Sequence, residues 1–158
     1  MESRAKILGH PVHPMLVVFP LGLLLTSLVF DAIHAKTKKR EAATVANAMV
    51  GAGVVGGLVA AIPGIIDWLS IPAGTRAKQI GAVHGLGNVL VLALFGWSWL
   101  QRRSDPQDPP ASARGLSVAG AAVGGFTAWL GGELVYRLHV GVDDEANLDA
   151  TNSLLPEA

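Results

Sequence analysis

The chain of 158 residues has five histidines and no cysteine. His10 and His13 lie in Gly9-His10-Pro11-Val12-His13-Pro14, and His84 in Gly81-Ala82-Val83-His84-Gly85-Leu86-Gly87-Asn88. His139 follows Tyr136-Arg137-Leu138, and His34 stands beside the basic segment from Lys36 to Arg40. A neutral imidazole can bind haem iron along its axis, or hold zinc or copper. A carboxylate such as Asp67 can accept the second ring N–H of a ligating imidazole and fix its tautomer. Without cysteine there are no disulfides, thiolate metal sites, iron–sulfur ligands or covalent c-type haem attachments. No nucleophile elbow, P-loop or HExxH motif is present, which favours binding or electron transfer over substrate turnover.

The elements that must position these groups are apolar. Four runs, 15–33, 43–66, 82–100 and 115–136, are 19 to 24 residues long. They hold only two charged side chains, Asp31 and Glu133. About 20 residues of helix cross a bilayer's hydrocarbon core. Only 15% of the chain is charged and its mean hydropathy is +0.44, which argues against an ordinary soluble domain. The runs are continuous rather than alternating, which excludes a membrane β-barrel. The predicted fold is all-α, an integral membrane four-helix bundle over residues 1–142, with a polar C-terminal tail at 143–158. A net charge of zero gives no electrostatic case for nucleic acid. The first run is long for a signal-peptide core and no small-residue cleavage site follows it, so it reads as a retained span.

Four spans bring the start of the first and third and the end of the second and fourth to one face. His10, His13, His84 and His139 converge there with Asp67. If spans 1 and 3 are diagonal, His13 and His84 face each other at one depth. Such a pair suits haem b, with His10 a substitute for His13 and Asp67 behind an imidazole; zinc or copper held by His13 and His84 is the alternative. Pro11 and Pro14 bias the residues before them towards extended backbone. Histidine, aspartate and tryptophan are also common at membrane interfaces, which leaves open a structural role for all of them.

Smaller expectations accompany this layout. Pro14 falls in a first helical turn. Asp31 reaches the headgroups, and Pro63-Gly64 kinks or frays the end of span 2. Residues 70–75 form a turn and 104–113 a loop. Glu133 either pairs with Arg137 or carries a proton. The four tryptophans fit interfacial belts. Gly53/Gly57 and Gly120/Gly124 are spaced for close helix contact, or else glycines leave room for a flat cofactor. No internal repeat is evident.

The segment Gly9-His10-Pro11-Val12-His13-Pro14-Met15-Leu16-Val17-Val18-Phe19-Pro20-Leu21-Gly22 resembles the opening of the DUF2231 family of small bacterial membrane proteins. Pro63-Gly64-Ile65-Ile66-Asp67-Trp68, His84-Gly85 with Asn88, and Gly131-Gly132-Glu133-Leu134-Val135-Tyr136-Arg137 fit the same pattern. The resemblance spans all four runs. It implies a four-helix domain similar in layout to b-type cytochromes, in a bacterial cytoplasmic membrane. Relatives resemble modules fused to Rieske or cytochrome c domains, which implies electron transfer to such a protein on the outer side. Proteins of this pattern often place histidine directly after the arginine, where this chain has Leu138 before His139. The functional expectation is a membrane electron-transfer protein with one haem b near the outer face. The alternatives are a cofactor-free structural or assembly subunit of a respiratory complex, or a zinc- or copper-binding membrane protein. A homo-oligomer is compatible with each.

The loops between spans carry seven lysines and arginines on one side (Lys36, Lys38, Lys39, Arg40, Arg102, Arg103, Arg114). The other side has five (Arg4, Lys6, Arg76, Lys78, Arg137). The positive-inside rule puts both termini outside. A cysteine at Lys38 should therefore resist a membrane-impermeant thiol reagent applied to intact cells, while one at Ala73 should react. The reverse labelling pattern would invert the topology.

Overall fold

A computed structural model describes residues 1–142. Four long helices dominate it: α1 (Val12–Thr37), α2 (Arg40–Ser70), α3 (Arg76–Gln101) and α4 (Ala111–Gly132). A π-helical turn, Glu133–Arg137, extends α4. All four helices are long and apolar enough to cross a membrane. Before α1 lies a small antiparallel hairpin of β1 (Lys6–Ile7) and β2 (His10–Pro11). Its turn residues Leu8 and Gly9 have φ of 49° and 78°, the left-handed values that a two-residue hairpin turn requires.

Local chemistry explains the helix ends. Pro14 sits in the first turn of α1, where no backbone N–H is needed. Lys38 adopts a left-handed conformation, φ 60°, and its N–H bonds to the His34 carbonyl to close α1. The Thr75 hydroxyl caps α3 by accepting from the Lys78 N–H at 3.2 Å. Pro63 does not end α2, which runs on to Ser70. Neighbouring helices let a membrane span absorb a proline, and both Pro20 and Pro63 are buried.

α1 packs along α2, and α3 along α4. The two hairpins meet mainly along α2 and α3; of the adjacent pairs, α1 and α4 touch least. α1 and α3 thus stand on a diagonal. The core is narrow: Leu24, Val50, Val91 and Phe95, flanked by Val54, Trp99, Ala121 and Val123. Glycines set the helix spacing. A Cβ at Gly53 would lie 2.6 Å from Leu24, and one at Gly120 would lie 2.8 Å from Phe95. Trp97 and Trp129 are exposed, but Trp68 and Trp99 turn inward onto Gly81 and Gly51.

The buried faces reveal an internal repeat that the sequence reading missed. In α1 the residues Pro20, Leu24, Ser27 and Asp31 are buried. Shifted by 71 residues, they become Val91, Phe95, Ser98 and Arg102, all buried, the first three within α3 and the last just past its end. A second constant shift maps Ala46, Val50, Gly53, Ala60 and Pro63 of α2 onto Ala113, Ser117, Gly120, Thr127 and Leu130 of α4. Those five are the buried positions of α4. The chain is thus two tandem helical hairpins related by a pseudo-two-fold axis along the bundle.

Asp31 is where that axis is visible. It does not reach the headgroups; it is buried and forms a two-pronged ion pair with Arg102, Nη1 to Oδ1 at 2.8 Å and Nη2 to Oδ2 at 2.6 Å. Arg102 is fully buried. Its Nε donates to the Ser98 hydroxyl at 3.1 Å, and its Nη2 to the Ser117 hydroxyl at 3.2 Å. Asp31 and Arg102 are repeat equivalents, and equivalent residues touch only at a symmetry axis.

Removing either partner leaves an unpaired buried charge. Arg102→Ala or Asp31→Ala should cost about 3–5 kcal/mol of stability, read as a lowered melting midpoint in detergent. The exchanged pair, Asp31→Arg with Arg102→Asp, should regain part of this. By the repeat, Ser27 then stands where Ser98 does, but Val50 has no hydroxyl to replace Ser117. An exchanged pair no more stable than the single variants would contradict the axis.

Candidate functional site

The site begins with two imidazoles at repeat-equivalent positions. His13, in the first turn of α1, is 2.8 Å through Nδ1 from the Ala60 carbonyl of α2. His84, in α3, is 2.8 Å through Nδ1 from the Thr127 carbonyl of α4. Ala60 and Thr127 are themselves equivalents. Each ring also lies on a glycine one turn further along. A Cβ at Gly64 would be 2.9 Å from His13 Nδ1, and one at Gly131 would be 3.2 Å from His84 Cε1.

A carbonyl can only accept, so Nδ1 carries the hydrogen in both rings. In the neutral imidazole Nε2 then holds the lone pair. On His84 that nitrogen faces the Asn88 amide, Nδ2 to Nε2 at 3.1 Å. Asn88 also donates to the His84 carbonyl at 3.0 Å and accepts from the Thr127 hydroxyl at 3.1 Å. Both rings are half-buried.

The other expected residues reach the same end but do different work. Asp67 binds the N-terminal segment. Its carboxylate accepts from the Ser3 hydroxyl at 2.8 Å, the Arg4 N–H at 2.8 Å and the Ala5 N–H at 3.1 Å. No imidazole stands among these partners, so this geometry does not display the expected contact behind a ligating ring. His10 lies on β2, opposite Ile7, and is exposed. His139 is exposed on a left-handed turn, φ 51°, where its carbonyl accepts from the N-terminal ammonium of Met1 at 2.8 Å. Among the described residues, no group of three or more His, Asp or Glu forms a metal-binding set.

Glu133 is buried and pairs more closely with Arg76, Nη2 to Oε1 at 2.6 Å, than with the expected Arg137, at 3.7 Å. His34 lies at the opposite end. It bridges the Lys39 carbonyl and the Asp108 carboxylate, each at 3.1 Å, and so ties α1 to the loop between α3 and α4.

Those contacts cover the segment that a family model, "Predicted membrane protein (DUF2231)", matches over residues 9–144. The chain belongs to the DUF2231 family. Comparisons with curated proteins and with solved structures gave no match. Within the DUF2231 match lie both imidazoles and both carbonyls that hold them. Sequence reasoning missed Thr127, Gly64 and Gly131 as ring partners. The signal for them was the repeated Val12-His13 and Val83-His84, with Gly64 and Gly131 at matching places in the second helix of each hairpin.

Asp67 anchors a strand that crosses the end of the bundle, and its loss frees three donors. Asp67→Ala should weaken that anchor by about 1–3 kcal/mol. Hydrogen exchange at Arg4 and Ala5 should speed up, and trypsin should cut after Arg4 and Lys6 sooner. Exchange within α3 should be unchanged. Unaltered cleavage would show that the segment is held by other contacts.

Proposed function

We propose that this DUF2231 protein is a membrane electron carrier that binds one haem b between α1 and α3, with His13 and His84 as its axial ligands. The observation that carries this reading is the matched tethering of two equivalent imidazoles. Each donates Nδ1–H to a backbone carbonyl, which fixes the ring and leaves Nε2 as the nitrogen with a lone pair, the tautomer that a metal-ligating histidine requires. The donor set suits a bis-imidazole iron better than zinc or copper, which want three or four protein ligands. Bound haem would supply a one-electron couple in a low-dielectric site.

The remaining work belongs to the chain. Gly64 and Gly131 let the rings lie close to the α2 and α4 backbones. Asn88 holds the His84 Nε2 edge and would exchange that contact for the metal, keeping its bond from Thr127. Asp67 secures the N-terminal segment over the same end. His10 and His139 stand at the rim. A Rieske or cytochrome c protein, as the family resemblance implies, would dock at this end, on the outer side of a bacterial cytoplasmic membrane. The Asn88 contact also favours a second reading. A His84–Asn88–Thr127 network complete in itself suits a cofactor-free subunit of a respiratory complex.

Protein produced with ample haem should show the Soret band of a low-spin b-type centre. His84→Ala and His13→Ala should each abolish or shift it, and His34→Ala, at the far end, should not. A wild-type protein without Soret absorption that takes up zinc or copper stoichiometrically would replace haem with metal. One that binds neither would leave the structural subunit.

A further inference from the structure

The repeat exposes one place where the two hairpins differ in packing. Between α2 and α3, Trp99 lies on Gly51, so close that a Cβ there would be 2.7 Å from the indole. The Arg103 guanidinium covers the same ring at 5.0 Å. The equivalent place between α1 and α4 has Leu28 for Trp99, Val118 for Gly51 and Ala32 for Arg103. Leu28 does not fill it. A cleft of about 230 Å³ remains, lined by Leu28, Asp31, Ala32, Ala35, Arg114 and Val118. It opens at the surface of the bundle, at the less tightly packed junction of α1 and α4.

Its charge is positive. Asp31 contributes no free anion, since Arg102 holds both its oxygens. Arg114 gives one hydrogen bond, Nη1 to the Pro109 carbonyl at 2.8 Å. Among the described residues, the rest of its guanidinium donors have no protein partner. An apolar cleft open at the bundle surface, with an under-used guanidinium at the end that carries Lys36, Lys38, Lys39 and Arg40, matches one ligand class. We infer that the α1–α4 cleft is a binding site for an anionic phospholipid. An acyl chain would lie along Leu28, Ala32, Ala35 and Val118, where the other hairpin has its indole. The phosphate would take the free donors of Arg114 in charge-assisted hydrogen bonds.

The test uses the full-length protein in detergent micelles, with native mass spectrometry after addition of phosphatidylglycerol or phosphatidylcholine. The wild type should retain phosphatidylglycerol preferentially. Arg114→Gln should reduce that retention roughly five- to tenfold, and Arg114→Lys should keep most of it. Val118→Trp, which puts an indole into the cleft, should reduce it as well. Arg40→Gln removes a charge at the same end away from the cleft and should leave retention intact. An equal loss in Arg40→Gln and Arg114→Gln would reduce the effect to general surface charge and overturn the site. Equal retention of both lipids would overturn it too. So would a Val118→Trp variant that changes oligomeric mass rather than lipid retention, since the cleft would then receive a second copy. Competition by inorganic phosphate alone at similar concentration would show a phosphate site without a lipid role.

Discussion

The ion pair between Asp31 and Arg102 is the constraint on which the rest of the bundle turns. Helices in lipid gain little from burying apolar surface against one another, because acyl chains are as apolar as leucine. What they cannot leave unmet is a buried charge or hydrogen-bonding group. Arg102 is fully buried and spends its donors on Asp31, Ser98 and Ser117. Those partners come from α1, α3 and α4, so a single guanidinium fixes the mutual height and rotation of three helices. Ser98 extends the constraint by donating to the Ala113 carbonyl at 2.7 Å.

Once that end is fixed, glycine contacts carry the register along the bundle. Gly53 receives Leu24, Gly57 receives Leu92 and Gly120 receives Phe95. Each is a place where a Cβ would force a shift, so the helices cannot slide past one another without a clash. The same register brings Gly64 under His13 and Gly131 under His84 at the opposite end. The imidazoles are thus positioned by packing that begins two or three turns away. Their Nδ1 bonds to backbone carbonyls complete the placement without a second charged group.

The spans were legible because hydropathy alone dictates them; α1, α2 and α3 contain their apolar runs, and α4 contains its own once the π-helical turn that extends it is included. They extend beyond those runs because flanking polar residues such as Arg40 and Ser70 still complete helical hydrogen bonds. The gathering of His10, His13, Asp67 and His84 at one end followed from span count. What the chain hid was pairing. Asp31 reads as an interfacial carboxylate until Arg102, far along the sequence, is known to lie beside it. Asp67 looks like a partner for histidine because chemistry allows it, yet nearer donors from Ser3, Arg4 and Ala5 take it. The repeat was obscured because its most informative pairs differ in type: Leu24 and Phe95, Val50 and Ser117, Asp31 and Arg102. The identical pairs, His13 with His84, Ser27 with Ser98 and Gly53 with Gly120, were present but stood among many similar small and apolar residues.

The two ends of the axis obey opposite rules, and this bears on function. At the Asp31–Arg102 end the repeats are complementary. Two identical hairpins would bring aspartate to aspartate or arginine to arginine, and the buried like charges would repel. Unlike residues there make the first hairpin specific for the second and penalise the pairing of two copies of one half. At the His13–His84 end the repeats are alike, down to the carbonyl and the glycine that hold each ring. A direct hydrogen bond between the hairpins gains nothing from that likeness, since both Nδ1–H groups are already spent on backbone carbonyls and neither Nε2 carries a hydrogen to donate. Likeness is useful to something placed between them that presents the same face to both sides. On the proposed reading, a haem iron held by both imidazoles would make use of that likeness, and the Asp31–Arg102 pair at the other end would keep the two hairpins in register around it.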